Sequence, residues 1–171
     1  LELSLHLIEN LAKRKDLKDW SGLGLAIQAY GKRAPVVVKF IDELGANRNG
    51  MMMRLVKGAY WDQEIKIHQI KGAADLPVFT SKSFTDLNYL STAKIISETK
   101  NLRPYFATHN AHTIAGIMQL YQGREDQFEF QRIFGMGDLT YRNAQKVYSD
   151  FPLTRVYAPV GSKKELLPYL V

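Results

Sequence analysis

The amino-acid sequence predicts an α/β fold, an incomplete (βα)8 TIM-type barrel with about five parallel strands and covering helices. Three observations carry the prediction. Short apolar segments alternate five times with segments of helical period, as is typical of a parallel sheet covered by helices. Polar residues gather where successive predicted strands end, as expected if a barrel places its site at one rim. No G-x-G-x-x-G motif follows a strand, which disfavours a doubly wound dinucleotide-binding sheet.

Length and composition limit the other classes of protein. The chain has 171 residues, of which 46% are hydrophobic, so it can bury one sizeable core. It contains no cysteine, which excludes a disulfide framework, a thiolate metal site and a cysteine nucleophile. No apolar run approaches the ~18 residues of a membrane span, so we expect a soluble chain or one that lies on a membrane only peripherally. The net charge of +6 is spread along the chain, which indicates solvated helix faces and no direct nucleic-acid binding by this segment.

The predicted elements follow in order along the chain. A helix is predicted over 1–14, because leucine and isoleucine recur there at helical spacing. The run over 23–29 is apolar and has the length of a buried strand. A helix over 32–44 follows, with Pro35 tolerated in its first turn and Gly45 ending it.

The rest of the chain repeats this alternation. A strand over 51–56 is followed by helical period up to residue 70, and Pro77 closes that unit. The later elements are a helix over 84–99, a strand over 103–108, a helix over 110–122, a strand over 127–133, a helix over 139–147, a strand over 155–158 and a helix over 163–170. A full barrel of this class takes ~250 residues. We therefore expect residues 1–171 to form a partial barrel that lacks its first strands and its last helix or strand.

Polar side chains mark the ends of the predicted strands. They are Gln28, Arg54 with Lys57, Thr108 with His109, Gln131 and Tyr157. In a parallel barrel these ends meet at one rim, so the side chains are expected to converge on one site. Three of them also have an ordinary structural alternative: Arg54 as a surface ion-pair partner, Lys57 as a solvated cation, and His109 as a structural histidine.

Five segments occur in a fixed order along the chain. They are GLAIQAYGKRAP (24–35), RLVKGAYWDQEIK (54–66), YFATHNAHT (105–113), FEFQRIFGMGD (128–138) and RVYAPVG (155–161). Together they resemble the proline dehydrogenase family, especially the proline dehydrogenase domain of bacterial proline utilization A. The resemblance implies oxidation of L-proline to Δ1-pyrroline-5-carboxylate, the first step of proline catabolism to glutamate, by hydride transfer to N5 of FAD. It also implies electron transfer to a quinone, a cytoplasmic location and peripheral contact with the inner face of the cytoplasmic membrane.

The resemblance further implies roles for individual residues. Arg54 and Tyr60 are expected at the catalytic centre. The expected FAD-binding residues are Gln28, Arg54, Val56, Lys57, Gly58, Ala59, Trp61, Thr80, Lys82, Thr108, His109 and Gln131. The expected walls of the proline pocket are Tyr60, Ile133, Tyr157 and Tyr169. Cations and hydrogen-bond donors suit a cofactor with an anionic pyrophosphate and a reduced ring that carries negative charge, and Gly58 would let the backbone approach that ligand. No metal site is expected.

Some expected features depart from the family pattern or fall outside the sequence. Phe134 stands where bacterial relatives are expected to have histidine. The arginine pair expected to clamp the proline carboxylate would follow Val171, and a lysine and an aspartate that face the substrate would precede Leu1. This segment alone is therefore expected to be inactive. Its open five-stranded sheet is expected to pair with further chain or to associate as a homo-oligomer.

Two other functions stay open at this point. A methylenetetrahydrofolate reductase-like flavin barrel would share the strand-end contacts, but NADH and not proline would reduce its flavin. A non-enzymatic basic module would bind nucleic acid in a salt-dependent manner and would hold no flavin.

Overall fold

The computed structural model describes residues 1–170, with side chains up to residue 167. The strands are β1 (Gly24–Gln28), β2 (Met51–Val56), β3 (Leu102–Ala107), β4 (Glu129–Ile133) and β5 (Thr154–Tyr157). The α-helices are α1 (Glu2–Ala12), α2 (Ala34–Gly45), α3 (Trp61–Ile70), α4 (Lys82–Ile96), α5 (Ala111–Leu120), α6 (Asp138–Val147) and α7 (Lys163–Leu170). Among these helices none is long and apolar enough to cross a bilayer.

The five strands form one sheet in chain order, and every neighbouring pair is parallel. At least one helix lies between each strand and the next, as parallel connections require. This arrangement confirms the predicted α/β fold with five parallel strands and agrees with an incomplete barrel. Within the described residues, β1 and β5 each have a neighbouring strand on one side only.

The bounds of the elements differ from the predicted ones by at most a few residues. β4 starts at Glu129 and not at residue 127, because Glu125–Gln127 forms a 3-10 turn. α4 starts at Lys82 and not at residue 84, so Lys82 belongs to the first turn of a helix and not to a loop. Both differences fall at element ends, where local hydrogen bonding decides more than hydrophobic period does.

The side chains of β2 show how the sheet divides its two faces. Met51, Met53 and Leu55 are buried in the core that the helices cover, whereas Arg54 is exposed on the opposite face. We call that opposite face the inner face. The buried positions of α2 recur at helical spacing and join the same core: Ala34, Val37, Val38 and Ile41.

Aromatic rings fill the part of the core that supports β3 and β4. Phe106, Phe128, Phe130, Tyr121 and Tyr141 pack with ring centroids 4.7–5.9 Å apart. Most of these contacts are edge-on, the geometry in which an aromatic pair contributes about 0.5–1.5 kcal/mol beyond its buried area. The cluster therefore holds the two strands that carry the later half of the predicted site.

Tyr89 of α4 ties the carboxyl ends of two strands together. Its side chain is fully buried, and the single proton of its hydroxyl is shared between the carbonyls of Leu55 (3.2 Å) and Ala107 (3.3 Å). These carbonyls lie at the carboxyl ends of β2 and β3. The phenol therefore fixes the spacing of the rim at which the predicted site residues lie.

The strand register sorts the inner-face side chains into layers. Four register partners across β1 to β4 form the lower layer: Ala26, Arg54, Tyr105 and Glu129. Five residues one pleat nearer the carboxyl ends form the upper layer: Gln28, Val56, Ala107, Gln131 and Arg155. Above them, Ile133 pairs with Tyr157. Three of the predicted FAD-binding residues therefore share one layer.

Candidate functional site

The turn between β2 and α3 is shaped by the packing of Gly58 against Tyr30. Gly58 has φ +124°, and a Cβ built on it would lie 1.9 Å from Cδ1 of Tyr30. The Tyr30 backbone is itself fixed, because its N–H donates to the Lys57 carbonyl (2.9 Å) and its carbonyl accepts from the Phe79 N–H (2.8 Å). The missing side chain of Gly58 thus makes room for a neighbouring ring, whereas the sequence suggested that it makes room for a ligand.

Tyr30 carries an unused polar group next to this turn. The residue is 5% exposed, and its hydroxyl makes no hydrogen bond of ordinary geometry within the described chain. Burial raises the pKa of this phenol, Glu64 and Tyr60 raise it further, and the nearby Gln28 amide opposes the shift. A buried hydroxyl that makes no good hydrogen bond is unfavourable. A ligand atom that accepts from the Tyr30 hydroxyl would therefore bind favourably at this point.

A cavity of about 500 Å³ lies beside the turn and contains two cations that share one carboxylate. Lys57 Nζ lies 2.5 Å from one oxygen of Asp86, and Lys82 Nζ lies 2.6 Å from the other. Hydrogen bonds from Lys57 and then from Lys82 hold the pKa of Asp86 below its usual value. The lysine–aspartate group therefore carries a net charge of +1, with both ammonium groups paired to the same carboxylate.

Trp61 forms an aromatic wall of the same cavity. It begins α3, and its indole N–H donates to the Phe79 carbonyl at 2.6 Å, which fixes the orientation of the ring. The residue remains 38% exposed. The cavity thus offers a flat aromatic surface beside its two cations, as a ligand with both an anionic and an aromatic part would require.

A second, shallower pocket of about 270 Å³ opens on the inner face. Arg54, Tyr105 and Gln131 contribute its polar side chains. The Arg54 side chain forms no ion pair or hydrogen bond with any residue that the structure describes, and the residue is exposed. A guanidinium without an internal partner on a concave surface is available to an anionic or electron-rich ligand. Among the described residues Arg54 has no ion-pair partner, so the ordinary alternative to a ligand-binding role is not observed there.

Glu129 lies at the centre of a hydrogen-bonded network beside this pocket. Its side chain is 4% exposed and accepts from Arg155 Nε (2.7 Å) and Nη2 (2.9 Å). Gln131 Nε2 donates to the same carboxylate at 2.8 Å. Burial alone raises the pKa of Glu129, but the hydrogen bonds from Arg155 and Gln131 outweigh it, so the pKa lies below its usual value. Glu129 is therefore an ionised carboxylate in the wall of the inner face.

Thr108 and His109 follow β3, as predicted, and both side chains have partners within the chain. Thr108 is buried, and its Oγ1 accepts from the Asn110 N–H at 3.2 Å. His109 Nε2 accepts from the Ile133 N–H at 3.1 Å. Burial, followed by the charge of Arg132, lowers the pKa of His109. His109 is therefore a neutral imidazole whose proton lies on Nδ1, and this N–H is the donor that it can present to a ligand.

The structure divides the predicted cofactor residues between two neighbouring places. Five of them line the cavity: Lys57, Gly58, Trp61, Thr80 and Lys82. Two line the inner pocket: Arg54 and Gln131. Gln28 and Val56 pair at the ends of β1 and β2. Because Arg54 and Lys57 are three residues apart, about 10 Å of extended chain connects the two places.

The remaining predicted residues lie around the same rim. Ile133 and Tyr157 pair at the ends of β4 and β5. Ala59 and Tyr60 are exposed in the turn before α3, with Tyr60 58% exposed. The side chain of Tyr169 lies outside the described residues. The proline pocket predicted from these residues therefore stays a prediction.

Four residues of the site were not singled out from the sequence: Tyr30, Asp86, Glu129 and Arg155. The alternation in FEFQRI (128–133) does place Glu129 and Gln131 on one strand face. The four-residue spacing of Lys82 and Asp86 is that of a helical ion pair. Tyr30 had no comparable local signal, since its contact with Gly58 joins distant parts of the chain.

Comparisons with known proteins cover the whole chain. Residues 1–171 match the family model described as Proline dehydrogenase. The chain is 46% identical over its full length to the bifunctional protein PutA of Escherichia coli, of which it covers 14%. The crystal structure of a mutant proline utilization A (PutA) from Bradyrhizobium japonicum matches 99% of the chain at 47% identity with a TM-score of 0.91, and 17% of that chain is covered. PutA from Bdellovibrio bacteriovorus, inactivated by N-propargylglycine, matches 99% of the chain at 33% identity with a TM-score of 0.88, and 18% of that chain is covered.

The chain spans 14% of the length of the PutA proteins of Escherichia coli and Rhizobium meliloti. The family match nevertheless extends over every residue, and the five-stranded parallel sheet superimposes on solved PutA structures. These findings establish that the chain belongs to the proline dehydrogenase family.

Proposed function

We propose that the protein containing residues 1–171 oxidises L-proline to Δ1-pyrroline-5-carboxylate, with FAD as the cofactor and a quinone as the final electron acceptor. The family is flavin-dependent in general, and the matched relatives are described as bifunctional PutA proteins. On this proposal residues 1–171 supply part of the proline dehydrogenase barrel, and the remaining strands and substrate groups come from chain outside it.

The observation that carries the proposal is the free guanidinium of Arg54 on the inner face, beside the amide of Gln131. FAD, when bound, supplies the two-electron acceptor that proline oxidation needs. Arg54 would lie against the flavin and stabilise the negative charge that the ring gains on reduction, because a fixed cation in a concave site interacts strongly with developing charge. Gln28 and Gln131, from the upper layer, would orient the ring through hydrogen bonds.

The described residues fit a ligand with the chemistry of FAD in two further respects. The cavity beside the β2–α3 turn presents Lys57 and Lys82 to an anion, with Thr80 beside them, and Trp61 to an aromatic ring. The buried Tyr30 hydroxyl makes no hydrogen bond of ordinary geometry within the described chain and could donate to a ligand oxygen. We propose that this cavity holds the phosphate-bearing and adenosine part of the cofactor, and that Val56, Gly58 and Ala59 contact it through the backbone.

For the substrate we propose the rim at the ends of β4 and β5. Ile133 and Tyr157 would pack against the apolar pyrrolidine ring, with Tyr60 and Tyr169 as further walls. Thr108 and His109 would complete the cofactor site, His109 through its Nδ1–H. We also propose a cytoplasmic location, with peripheral contact to the membrane that holds the quinone, and association between copies of the protein.

The proposal is tested by reduction of the bound flavin in the full-length protein without oxygen. Proline should bleach the flavin absorbance, and Arg54→Met should slow this reduction by about 100-fold, as loss of a charge-stabilising group at a reaction centre does. Arg142→Met is the matched control, because Arg142 is an exposed arginine on α6 that lines neither the cavity nor the inner pocket; it should leave the rate unchanged.

Three results would contradict the proposal. Purified protein without flavin would exclude a flavoenzyme. Flavin that NADH reduces and proline does not would favour the methylenetetrahydrofolate reductase-like alternative. Equal rates for the Arg54 and Arg142 variants would remove Arg54 from the catalytic centre.

A further inference from the structure

The amide of Gln131 has only one chemically sensible orientation in this structure. Its neighbour Glu129 is ionised, and a carboxylate accepts hydrogen bonds but cannot donate them. The nitrogen of the Gln131 amide must therefore face Glu129, at the 2.8 Å contact that the structure contains. The amide oxygen Oε1 is then left on the other side, where it accepts no hydrogen bond from any described residue.

Arg155 in turn fixes the carboxylate of Glu129. Its guanidinium donates through Nε to Oε1 and through Nη2 to Oε2 of Glu129, a two-point contact that leaves the carboxylate little rotational freedom. The oxygen that receives Arg155 Nε also receives the Gln131 amide. Arg155 therefore orients the carboxylate of Glu129, and that carboxylate in turn orients the amide of Gln131.

The location of this chain of contacts connects it to the candidate cofactor. Gln131 lines the inner pocket together with Arg54 and Tyr105, while Glu129 and Arg155 lie in the lower and upper layers beside it. Glu129 is buried, whereas the Arg155 side chain is 59% exposed. The pocket is thus bordered by a free guanidinium on one side and by an oriented amide on the other.

We propose that Glu129, held by Arg155, is a positioning residue that keeps the amide oxygen of Gln131 turned toward the inner pocket, so that it accepts a hydrogen bond from a ring N–H of the bound flavin. This inference rests on the proposed flavin site. It assigns Gln131 the role of acceptor and Arg54 that of cation, so that the two recognise different atoms of the ligand.

The test measures the dissociation constant of the flavin in the full-length protein for Glu129→Gln and Arg155→Gln. A glutamine at position 129 cannot accept from Arg155 at both of its terminal atoms, so the amide of Gln131 becomes free to turn. Removal of Arg155 frees the carboxylate and raises its protonated fraction, with the same consequence. Both variants should weaken flavin binding by about two- to tenfold, the range expected for a hydrogen bond that is misoriented or lost.

Gln131→Leu distinguishes this role from general destabilisation. In that variant the oriented amide is gone, so adding either Glu129→Gln or Arg155→Gln should weaken flavin binding no further. Glu98→Gln is the matched control, because it removes one carboxylate of an exposed helical ion pair with Lys94; its dissociation constant should equal that of the wild type. Because Arg155→Gln removes the partner of a buried carboxylate, urea denaturation of each variant accompanies the binding measurement and separates loss of fold from loss of flavin binding.

Several outcomes would overturn the inference while leaving the proposed function intact. Opposite effects of Glu129→Gln and Arg155→Gln would mean that only their charges act on the flavin. Effects that add to that of Gln131→Leu would mean that Glu129 and Arg155 act on flavin binding by another route. Flavin binding equal to that of the Glu98→Gln control would mean that these two residues have no role in it. A wild-type protein that holds no flavin would instead refute the proposed function, and the inference with it.

Discussion

Replacing Gly58 by alanine should destabilise the protein mainly through Tyr30. The new Cβ would lie 1.9 Å from Cδ1 of the tyrosine ring, where ordinary contacts begin near 3.4 Å, so the ring or the turn must move by about 1.5 Å. Tyr30 cannot move easily, because it is buried and both of its backbone polar groups are hydrogen-bonded. Overpacking of this kind costs about 1–3 kcal/mol. The positive φ of the turn adds a strain of about 1–3 kcal/mol for any residue with a Cβ.

The expected loss in the free energy of unfolding is therefore about 2–6 kcal/mol, measured by urea denaturation of the folded protein. Gly72→Ala is the matched control, since Gly72 also has a positive φ (+60°) but nothing within 4 Å of a new Cβ. In the background of Tyr30→Ala, Gly58→Ala should lose its steric part and retain only the backbone strain. The reasoning is refuted if Gly58→Ala costs no more than Gly72→Ala, or if its cost is the same with and without the Tyr30 ring.

Three further predictions concern stability around the rim. Tyr89→Phe should lower the free energy of unfolding by about 1 kcal/mol in urea denaturation, because it removes the shared hydrogen bond that joins β2 and β3; unchanged stability would mean that the hydroxyl adds nothing. Asn110→Ala should cost about 1 kcal/mol in the same assay, since the Asn110 side chain caps α5 by accepting from a backbone N–H at 2.9 Å. The lowered pKa of His109 means that the folded chain takes up a proton less readily than the unfolded chain, whose histidines titrate near 6.5. Stability should therefore fall as the pH drops below about 6.5, and His109→Gln, which retains an acceptor for the Ile133 N–H, should lack this step in a pH series of unfolding measurements.

The fold could be predicted because its signal is repeated along the chain. Apolar runs of strand length alternate with helical period, and in β2 the buried positions Met51, Met53 and Leu55 alternate as the pleat requires. The ends of elements were less predictable. The 3-10 turn at Glu125–Gln127 and the early start of α4 at Lys82 depend on local hydrogen bonds that the apolar pattern does not reveal.

The site could be predicted only in part. The sequence pattern indicates on which strand or helix a residue lies, but not which residue of another element its side chain contacts. The strand-end pattern predicted that Gln28 and Gln131 lie at one rim, and the register puts both in the upper layer. The ion pair of Lys57 with Asp86 and the network around Glu129 were not foreseen, since each joins residues from different elements. The roles assigned through the family resemblance remain predictions until ligand binding is measured.

The carboxylate shared by Lys57 and Lys82 has a consequence for which anions the cavity accepts. An arriving anion finds both ammonium groups already engaged, so it meets a net charge of +1 but must compete with Asp86 for each lysine. A singly charged ion would replace one favourable pairing by another and gain little. A group that bears two negative charges can hold both lysines more strongly than one carboxylate does, so the cavity should select for doubly charged ligands and return to the closed lysine–aspartate arrangement when they leave.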